Sequence, residues 1–169
     1  LVQNTRNALQ NYRTVKLRDL ENKIHANLRS GKIKKIYLQN FMCHANFEVD
    51  LNKCINIIVG LNGSGKSAIL TAIAIGLGGK ASSTARSTSL KELVKRGEPS
   101  ATIEITLAND GLDAYEHDVY GDEIIIVRTI NANSGASAYK IKSQNGKTIS
   151  TTRQDLLKMS LCLNIQVEN

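Results

Sequence analysis

Apolar residues recur along the chain with a spacing that changes from helix-like to strand-like. Over residues 17–28 they stand three and four positions apart, without Gly or Pro, which predicts an amphipathic helix. We assign it to a basic helical extension over residues 1–30. Residues 32–38 then begin a strand, and residues 46–51 alternate apolar and polar positions as a half-buried strand does.

The middle of the chain has the pattern of a strand, a glycine-rich loop and a buried helix. Residues 54–59 form a short β-branched run, which predicts the strand, and residues 68–77 form an apolar stretch of helical length. Residues 76–89 are rich in Gly, Ser and Thr, which predicts a loop. A short helix is predicted after it, over residues 90–95.

The second half of the chain has the pattern of an antiparallel meander. Its predicted strands cover residues 101–107, 115–120, 123–130, 138–143 and 147–150. Asp110-Gly111 and Asn145-Gly146 are turn signals between them. Thr151 is predicted to cap a final helix that runs toward Leu161. The pattern alone therefore predicts an α/β domain in which a nucleotide-binding core carries an antiparallel β layer.

The loop between the predicted strand and helix matches the P-loop template G-x-x-x-x-G-K-S at every fixed position. It reads Gly60-Leu61-Asn62-Gly63-Ser64-Gly65-Lys66-Ser67. Glycines let successive backbone amides point inward as an anion-binding nest, and the following helix adds its own unpaired amides. The Lys66 ammonium is expected on the β- and γ-phosphates and the Ser67 hydroxyl on Mg²⁺. The alternative is a glycine-rich turn that only joins strand to helix, which leaves Lys-Ser at these positions to chance.

Charge and cysteine content narrow the setting of this loop. The net charge of +7 comes from residues 1–35, which hold nine basic and two acidic residues and leave thirteen of each in residues 36–169. That segment is either a solvated helix surface or a contact with a phosphate backbone. Three cysteines without a C-x-x-C pair favour a reducing compartment and no metal centre, and the three histidines are interpreted as structural.

Neither a membrane span nor a secretory signal is expected. The longest apolar run, residues 68–77, is too short to cross a bilayer, and no basic head precedes an apolar stretch at the amino end. The first residue is Leu1 rather than Met, from which we expect a piece of a longer protein. At 169 residues the chain is long enough for one domain with a real core, or one domain with an appendage.

Several classes of P-loop protein can be separated by what else the chain contains. The guanine-reading pattern N-K-x-D is missing, which argues against a GTPase. The acidic pair Asp122-Glu123 precedes its apolar strand, whereas a magnesium-binding pair must follow one. We therefore expect this polypeptide to hold only half of a catalytic site.

Two segments resemble the structural maintenance of chromosomes (SMC) family. Residues 36–44, IYLQNFMCH, are similar to its amino-terminal signature, and residues 60–70, GLNGSGKSAIL, are similar to its P-loop and helix. The resemblance extends over residues 31–169. Within the family, the signature residues Asn40-Phe41-Met42-Cys43-His44 are most similar to the sixth eukaryotic branch. Residues 1–30 lie outside the resemblance.

The resemblance implies the amino-terminal lobe of an ABC-type ATPase head over residues 31–169, with the Q-loop beyond Asn169. A carboxyl-terminal lobe of the same protein would supply the remaining catalytic motifs, and a coiled coil would join the two. Arg86 matches an arginine-loop position near bound nucleotide. A DNA-facing patch is also expected on the engaged heads, from the basic residues Lys80, Arg86, Lys91, Lys95 and Arg96.

The resemblance further implies two cofactors, ATP and Mg²⁺. The partners it implies are DNA, a partner head from the fifth branch of the family, and non-SMC subunits. The setting would be DNA repair and recombination on nuclear chromosomes, and the piece alone would hydrolyse ATP hardly at all. Two alternatives stay open: another ABC-type repair ATPase similar to RecN or RecF, and a DNA-binding scaffold whose P-loop no longer cycles.

Overall fold

The strands build one six-stranded sheet in which every pairing is antiparallel. The computed structural model describes residues 30–83 and 88–166, so residues 1–29 of the extension predicted over 1–30 lie outside the described residues, as does Arg86. The spatial order is β2-β1-β3-β4-β5-β6. The strands are β1 Ile33–Phe41, β2 His44–Asp50, β3 Ser100–Ala108, β4 Glu123–Asn131, β5 Ser137–Ser143 and β6 Thr148–Ser150.

The helices of the described residues are α1 Lys66–Gly76, α2 His117–Tyr120 and α3 Arg153–Cys162. Two 3-10 segments, Ala81–Ser83 and Leu90–Leu93, lie in the connection from α1 to β3, and the second replaces the predicted helix over 90–95. Helix α1 contacts the three central strands β1, β3 and β4. None of the helices in the described ranges has both the length and the apolar character needed to cross a membrane.

The core lies between α1 and one face of the sheet. Alternate residues of each central strand point to it, as the period of two requires. They include Ile36, Leu38, Ile103, Ile105, Leu107, Ile124, Ile126 and Ile130, all 0% exposed. Gly76 allows the close approach of α1, because a Cβ at that position would lie 2.5 Å from Cδ1 of Ile105 and 2.9 Å from Cγ2 of Ile103. The predicted α/β class with an antiparallel layer and a buried P-loop helix is therefore confirmed.

The predicted strand over residues 115–120 is wrong. This part of the β3–β4 connection forms the short helix α2 instead. The Asn109 side chain organises it, since Nδ2 donates to the carbonyls of Tyr115 at 3.0 Å and Gly121 at 2.8 Å, while Oδ1 accepts from the Tyr115 amide at 2.8 Å. These bonds satisfy backbone groups that a strand would have paired with a neighbour. The cap of α3 is also one residue later than predicted, at Thr152.

The predicted strand over residues 54–59 is wrong as well. The backbone there pairs with no strand in the described part of the chain. Ile55, Ile57 and Val59 are 77%, 82% and 83% exposed. A strand requires a neighbour for its amides and carbonyls, and these residues have none here.

Candidate nucleotide-binding site

The P-loop residues form a tight loop that opens directly into α1. Gly65 is the N-cap residue of that helix and has a left-handed backbone with φ of 92°. Gly63 also has a positive φ, 83°, and open space lies where its Cβ would be. Both conformations favour glycine, which explains the fixed glycine at position 65 and the additional glycine at position 63. No side chain caps α1 and no acidic residue lies in its first turn, so an anion meets no competing carboxylate there.

The Lys66 ammonium lies inside the curve of this loop. Its Nζ donates to the carbonyl oxygens of Gly60 at 2.6 Å and Leu61 at 2.7 Å. The Ser64 amide closes the turn by donating to Leu61 at 3.2 Å. A Cβ on Gly60 would lie 2.7 Å from Oγ of Ser64, so the start of the loop is also close-packed. The ammonium can therefore reach phosphate oxygens by exchanging two carbonyl contacts.

Ser67 lies in the first turn of α1, where its hydroxyl was predicted to bind Mg²⁺. The helix fixes this residue, because its carbonyl accepts a bond of 3.0 Å from Oγ1 of Thr71 one turn later. The loop and the first turn thus combine backbone amides, one ammonium and one hydroxyl, with Asn62 and Ser64 exposed at the rim. This set of donors fits a polyphosphate with a hydroxyl-coordinated Mg²⁺. All seven predicted loop residues, from Gly60 and Asn62 to Ser67, are brought together.

The turn between β1 and β2 lies against the same loop, which the sequence did not reveal. The Nε2 atom of His44 is 3.3 Å from the Gly65 carbonyl oxygen. A Cβ on Gly65 would lie 2.5 Å from that nitrogen and 2.6 Å from Sγ of Cys43. The sequence predicts a structural role for His44, and although His44 and Cys43 end the signature segment 36–44, that similarity does not indicate a contact with the P-loop.

The predicted DNA contacts stand on the connection between α1 and β3. Lys80, Lys91 and Arg96 are exposed and Lys95 is half-buried. Within the described ranges, no hydrogen bond or ion pair joins the side chains of Lys91, Lys95 or Arg96 to the P-loop. Residues 84–87 lie outside the description, so the role of Arg86 stays a prediction.

Arg128 is a buried charge that links α1 to the sheet. Its Nη1 donates to the carbonyls of Ile75 at 2.6 Å and Gly79 at 2.9 Å, while Nε and Nη2 bond Oγ of Ser137 at 3.2 and 3.1 Å. The guanidinium also stacks on Tyr139, 4.7 Å from the ring centre. Burial lowers the pKa of Arg128 from its ordinary value. The sequence signal that could have identified Arg128 is that it is the one basic residue among the core-facing positions of β4.

A second arginine reaches the same end of the helix. The Nη2 atom of Arg153 is 3.3 Å from the Gly78 carbonyl oxygen. Together with Lys80 it lines a hollow of about 380 Å³ beside Gly78 and Gly79. The carboxyl end of α1, where carbonyls collect, is thus held by two cations.

Residues 35–169 match the family model described as an AAA domain. The chain belongs to this family. Structural maintenance of chromosomes protein 6 from Saccharomyces cerevisiae is 48% identical over 140 residues, which are 83% of this chain. The human protein of the same name is 47% identical over 142 residues, 82% of the chain. The resemblance to the SMC family, and to its sixth branch, is confirmed.

Solved structures agree with this AAA domain assignment. A chain from a study of ATP-driven dimerization and DNA-stimulated activation of SMC ATPases has a TM-score of 0.68 and 27% identity, over 79% of this chain and 80% of that one. The recombination mediator RecF bound to ATP has a TM-score of 0.54 and 25% identity, over 72% and 28%. The chain spans only 12% and 13% of the yeast and human relatives. It is therefore comparable to an SMC-type ATPase head, and not to the whole relatives.

Proposed function

We propose that this chain is the ATP–Mg²⁺-binding half of a chromosome-associated SMC ATPase head that acts in DNA repair and recombination. The observation that carries the proposal is the P-loop itself. Its two left-handed glycines, the Lys66 ammonium within its curve and the uncapped start of α1 form one continuous set of donors.

Different residues of the loop would bind different parts of MgATP. Backbone amides of the loop and of the first turn of α1 bind the phosphate oxygens. Lys66 leaves the carbonyls of Gly60 and Leu61 and neutralises the β- and γ-phosphates. The Ser67 hydroxyl holds Mg²⁺, which when bound screens charge that develops on the phosphates.

The exposed apolar run supports a second lobe as partner. Ile55, Ile57, Val59 and Leu61 are alternate residues that are between 77% and 85% exposed. The first three lie directly before the P-loop, and Leu61 is its second residue. An apolar strand with free backbone groups and exposed side chains is suited to pairing with another strand. We assign this strand position to the carboxyl-terminal lobe of the same protein, which would also bring the acidic residues that bind and activate the attacking water.

A partner head, from the fifth SMC branch together with non-SMC subunits, would complete the cycle. ATP binding would close the two heads on the nucleotide and hydrolysis would release them. This step is supported by the match to a solved SMC ATPase from a study of ATP-driven dimerization. The exposed Lys80, Lys91 and Arg96 would contribute phosphate contacts to DNA, in a nuclear setting.

A RecF-like repair ATPase is the second candidate, since the RecF–ATP structure shares the fold. The SMC reading is favoured because that solved ATPase aligns over most of both chains, whereas the RecF alignment covers 28% of RecF. A gene with several hundred heptad residues after this domain would support an SMC protein. Its absence would favour the RecF-like alternative.

The experiment is reconstitution of the head from two pieces. The chain is mixed with the carboxyl-terminal lobe of the same protein and the partner head, and phosphate release from MgATP is measured. We expect hydrolysis only in the complete mixture, and a rate near zero when the chain carries Lys66→Ala. Hydrolysis by the chain alone would contradict the half-site.

A further inference from the structure

Among the described residues outside the P-loop and α1, His44 is the only one whose side chain contacts the Gly65 carbonyl oxygen. Its Nε2 lies 3.3 Å from that oxygen, which also accepts the Ala68 amide at 2.9 Å. Because a carbonyl oxygen can only accept, the imidazole must carry its proton on Nε2. The Gly65 carbonyl is thus held from two sides.

The orientation of this carbonyl determines the direction of an amide in the phosphate nest. The peptide unit between Gly65 and Lys66 is planar and trans, so its C=O and N–H point in opposite directions. The Lys66 N–H belongs to the first turn of α1, where helix amides have no partner within the helix. Holding the oxygen toward His44 therefore aims the Lys66 N–H to the other side.

The imidazole itself is held rigidly. Its ring packs on Phe47 with 4.9 Å between ring centres. Two non-glycine residues just before it have left-handed backbones, Asn40 near the end of β1 at φ 52° and Met42 in the β1–β2 turn at φ 51°. Strained conformations of this kind persist where surrounding contacts enforce them.

Those contacts come from the end of the second 3-10 segment and from the residues that follow it. The Met42 amide donates to the Leu93 carbonyl at 2.8 Å, and the Lys95 amide donates to the Asn40 carbonyl at 2.8 Å. The Asn40 side chain also donates to Oε2 of Glu98 at 3.1 Å. A turn fixed on both strands and on this segment can hold His44 against the P-loop without relying on the loop itself.

We propose that His44 is a positioning residue of the nucleotide site, which sets the Gly65–Lys66 peptide so that its amide faces the phosphates. The proposal rests on the proposed function for the ligand, MgATP. The packing also explains why position 65 excludes a side chain, since a Cβ would overlap both His44 and Cys43.

The test compares His44→Ala, which removes the donor, with His44→Gln, whose amide nitrogen can occupy nearly the place of Nε2. Asn46→Ala is the matched control, because it is two residues further along β2 on the same face and is exposed. Two quantities are measured in the 169-residue chain: the Kd for MgATP and the backbone amide resonance of Lys66 without nucleotide.

We expect His44→Ala to weaken MgATP binding roughly fivefold, the effect of one neutral hydrogen bond, and to displace the Lys66 resonance. His44→Gln should restore most of both, and Asn46→Ala should change neither. An unmoved Lys66 resonance in His44→Ala, or a His44→Gln variant as impaired as His44→Ala, overturns the proposal. If His44→Ala does not fold, the test compares His44→Gln with the unmodified chain. A Lys66 amide resonance displaced in His44→Gln then also overturns the proposal.

The two readouts separate this proposal from the function on which it rests. If the unmodified chain does not bind MgATP, the proposed function fails. The resonance of the Lys66 amide still reports whether His44 orients the peptide.

Discussion

The Nη1 atom of Arg128, in the fourth strand, lies 2.6 Å from the carbonyl oxygen of Ile75, in the last turn of the P-loop helix. The same nitrogen reaches the Gly79 carbonyl beyond the helix end at 2.9 Å. One buried guanidinium therefore joins the carboxyl end of α1 to the sheet, at the opposite end of the helix from the P-loop. This contact fixes the carboxyl end of α1 to β4, in addition to the apolar packing of the helix on the sheet.

Replacing Arg128 should lower stability markedly. Arg128→Met removes the donor to the Gly79 carbonyl and the Ser137 hydroxyl and leaves the Ile75 carbonyl with only the Gly78 amide, at 3.1 Å. The expected cost is about 2–4 kcal/mol in the free energy of unfolding. Arg128→Lys should recover little, because a single ammonium cannot reproduce the planar fork. Urea unfolding measures both variants. Lys140→Met, at an exposed position of β5, is the control and should stay within about 0.5 kcal/mol of the parent.

The contact of Gly76 with Ile105 makes a second prediction. Gly76→Ala places a methyl group 2.5 Å from Cδ1 of Ile105 and should destabilise the chain by about 1–3 kcal/mol, despite the better helix propensity of Ala. Ile105→Val removes that Cδ1 atom, so in the double variant part of the loss should be recovered. Additive losses in thermal unfolding of the single and double variants would show that the two side chains do not clash.

Asp155 makes stability depend on acid pH. Hydrogen bonds from the hydroxyls of Ser150 and Thr152 hold the pKa of this carboxyl below its ordinary value. A folded-state pKa below that of the unfolded chain gives stability that is present above the unfolded pKa, about 3.9, and is lost as the pH falls through the folded one. The unfolding midpoint in urea between pH 6 and pH 3 should therefore fall less in Asp155→Asn than in the parent.

A suitable comparison for this pH series is Asp118→Asn, an exposed carboxyl on α2. It should keep the full pH dependence of the parent chain. Equal slopes for Asp155→Asn and the parent would rule out the contribution of the α3 cap.

The exposed run before the P-loop should matter for assembly and not for the stability of this chain. Ile57→Ser and Val59→Ser change side chains that are 82% and 83% exposed, so unfolding of the chain alone should hardly move. Association with the carboxyl-terminal lobe should weaken at least tenfold, because that strand would bury them. Leu112→Ser, at a position 80% exposed in the β3–β4 connection, is the matched control for pull-down or calorimetry.

Much of the central sheet and the P-loop helix could be predicted because their signals are local. The alternation over 101–107 and 123–130 reflects one buried face, and the motif at 60–67 carries its own chemistry. The strand predicted over residues 54–59 was wrong because an apolar run shows only that a segment is suited to burial. It does not show which segment would pair with it. The segment 115–120 misled because the Asn109 side chain, and not a strand partner, satisfies its backbone.

The parts of the site that could not be predicted depend on contacts between residues far apart in sequence. His44 and Gly65 are 21 positions apart and meet only when the β1–β2 turn folds over the loop. Arg128 and Ile75 are 53 positions apart. His44 ends the signature segment 36–44, but that motif does not show which residue His44 contacts. Arg128 could have been singled out as a charged residue on the core face of β4, but its partners on α1 could not.

Nucleotide binding at the loop is tested most directly by titrating MgATP into the chain and into its Lys66→Ala variant. Calorimetry gives both dissociation constants, with Lys147→Ala, an exposed lysine in the β5–β6 turn, as the control. We predict saturable binding by the parent and by Lys147→Ala, and a loss of at least tenfold in Lys66→Ala, because its ammonium is the one positive side chain within the loop. Equal affinity of the Lys66→Ala variant and the parent would contradict the account.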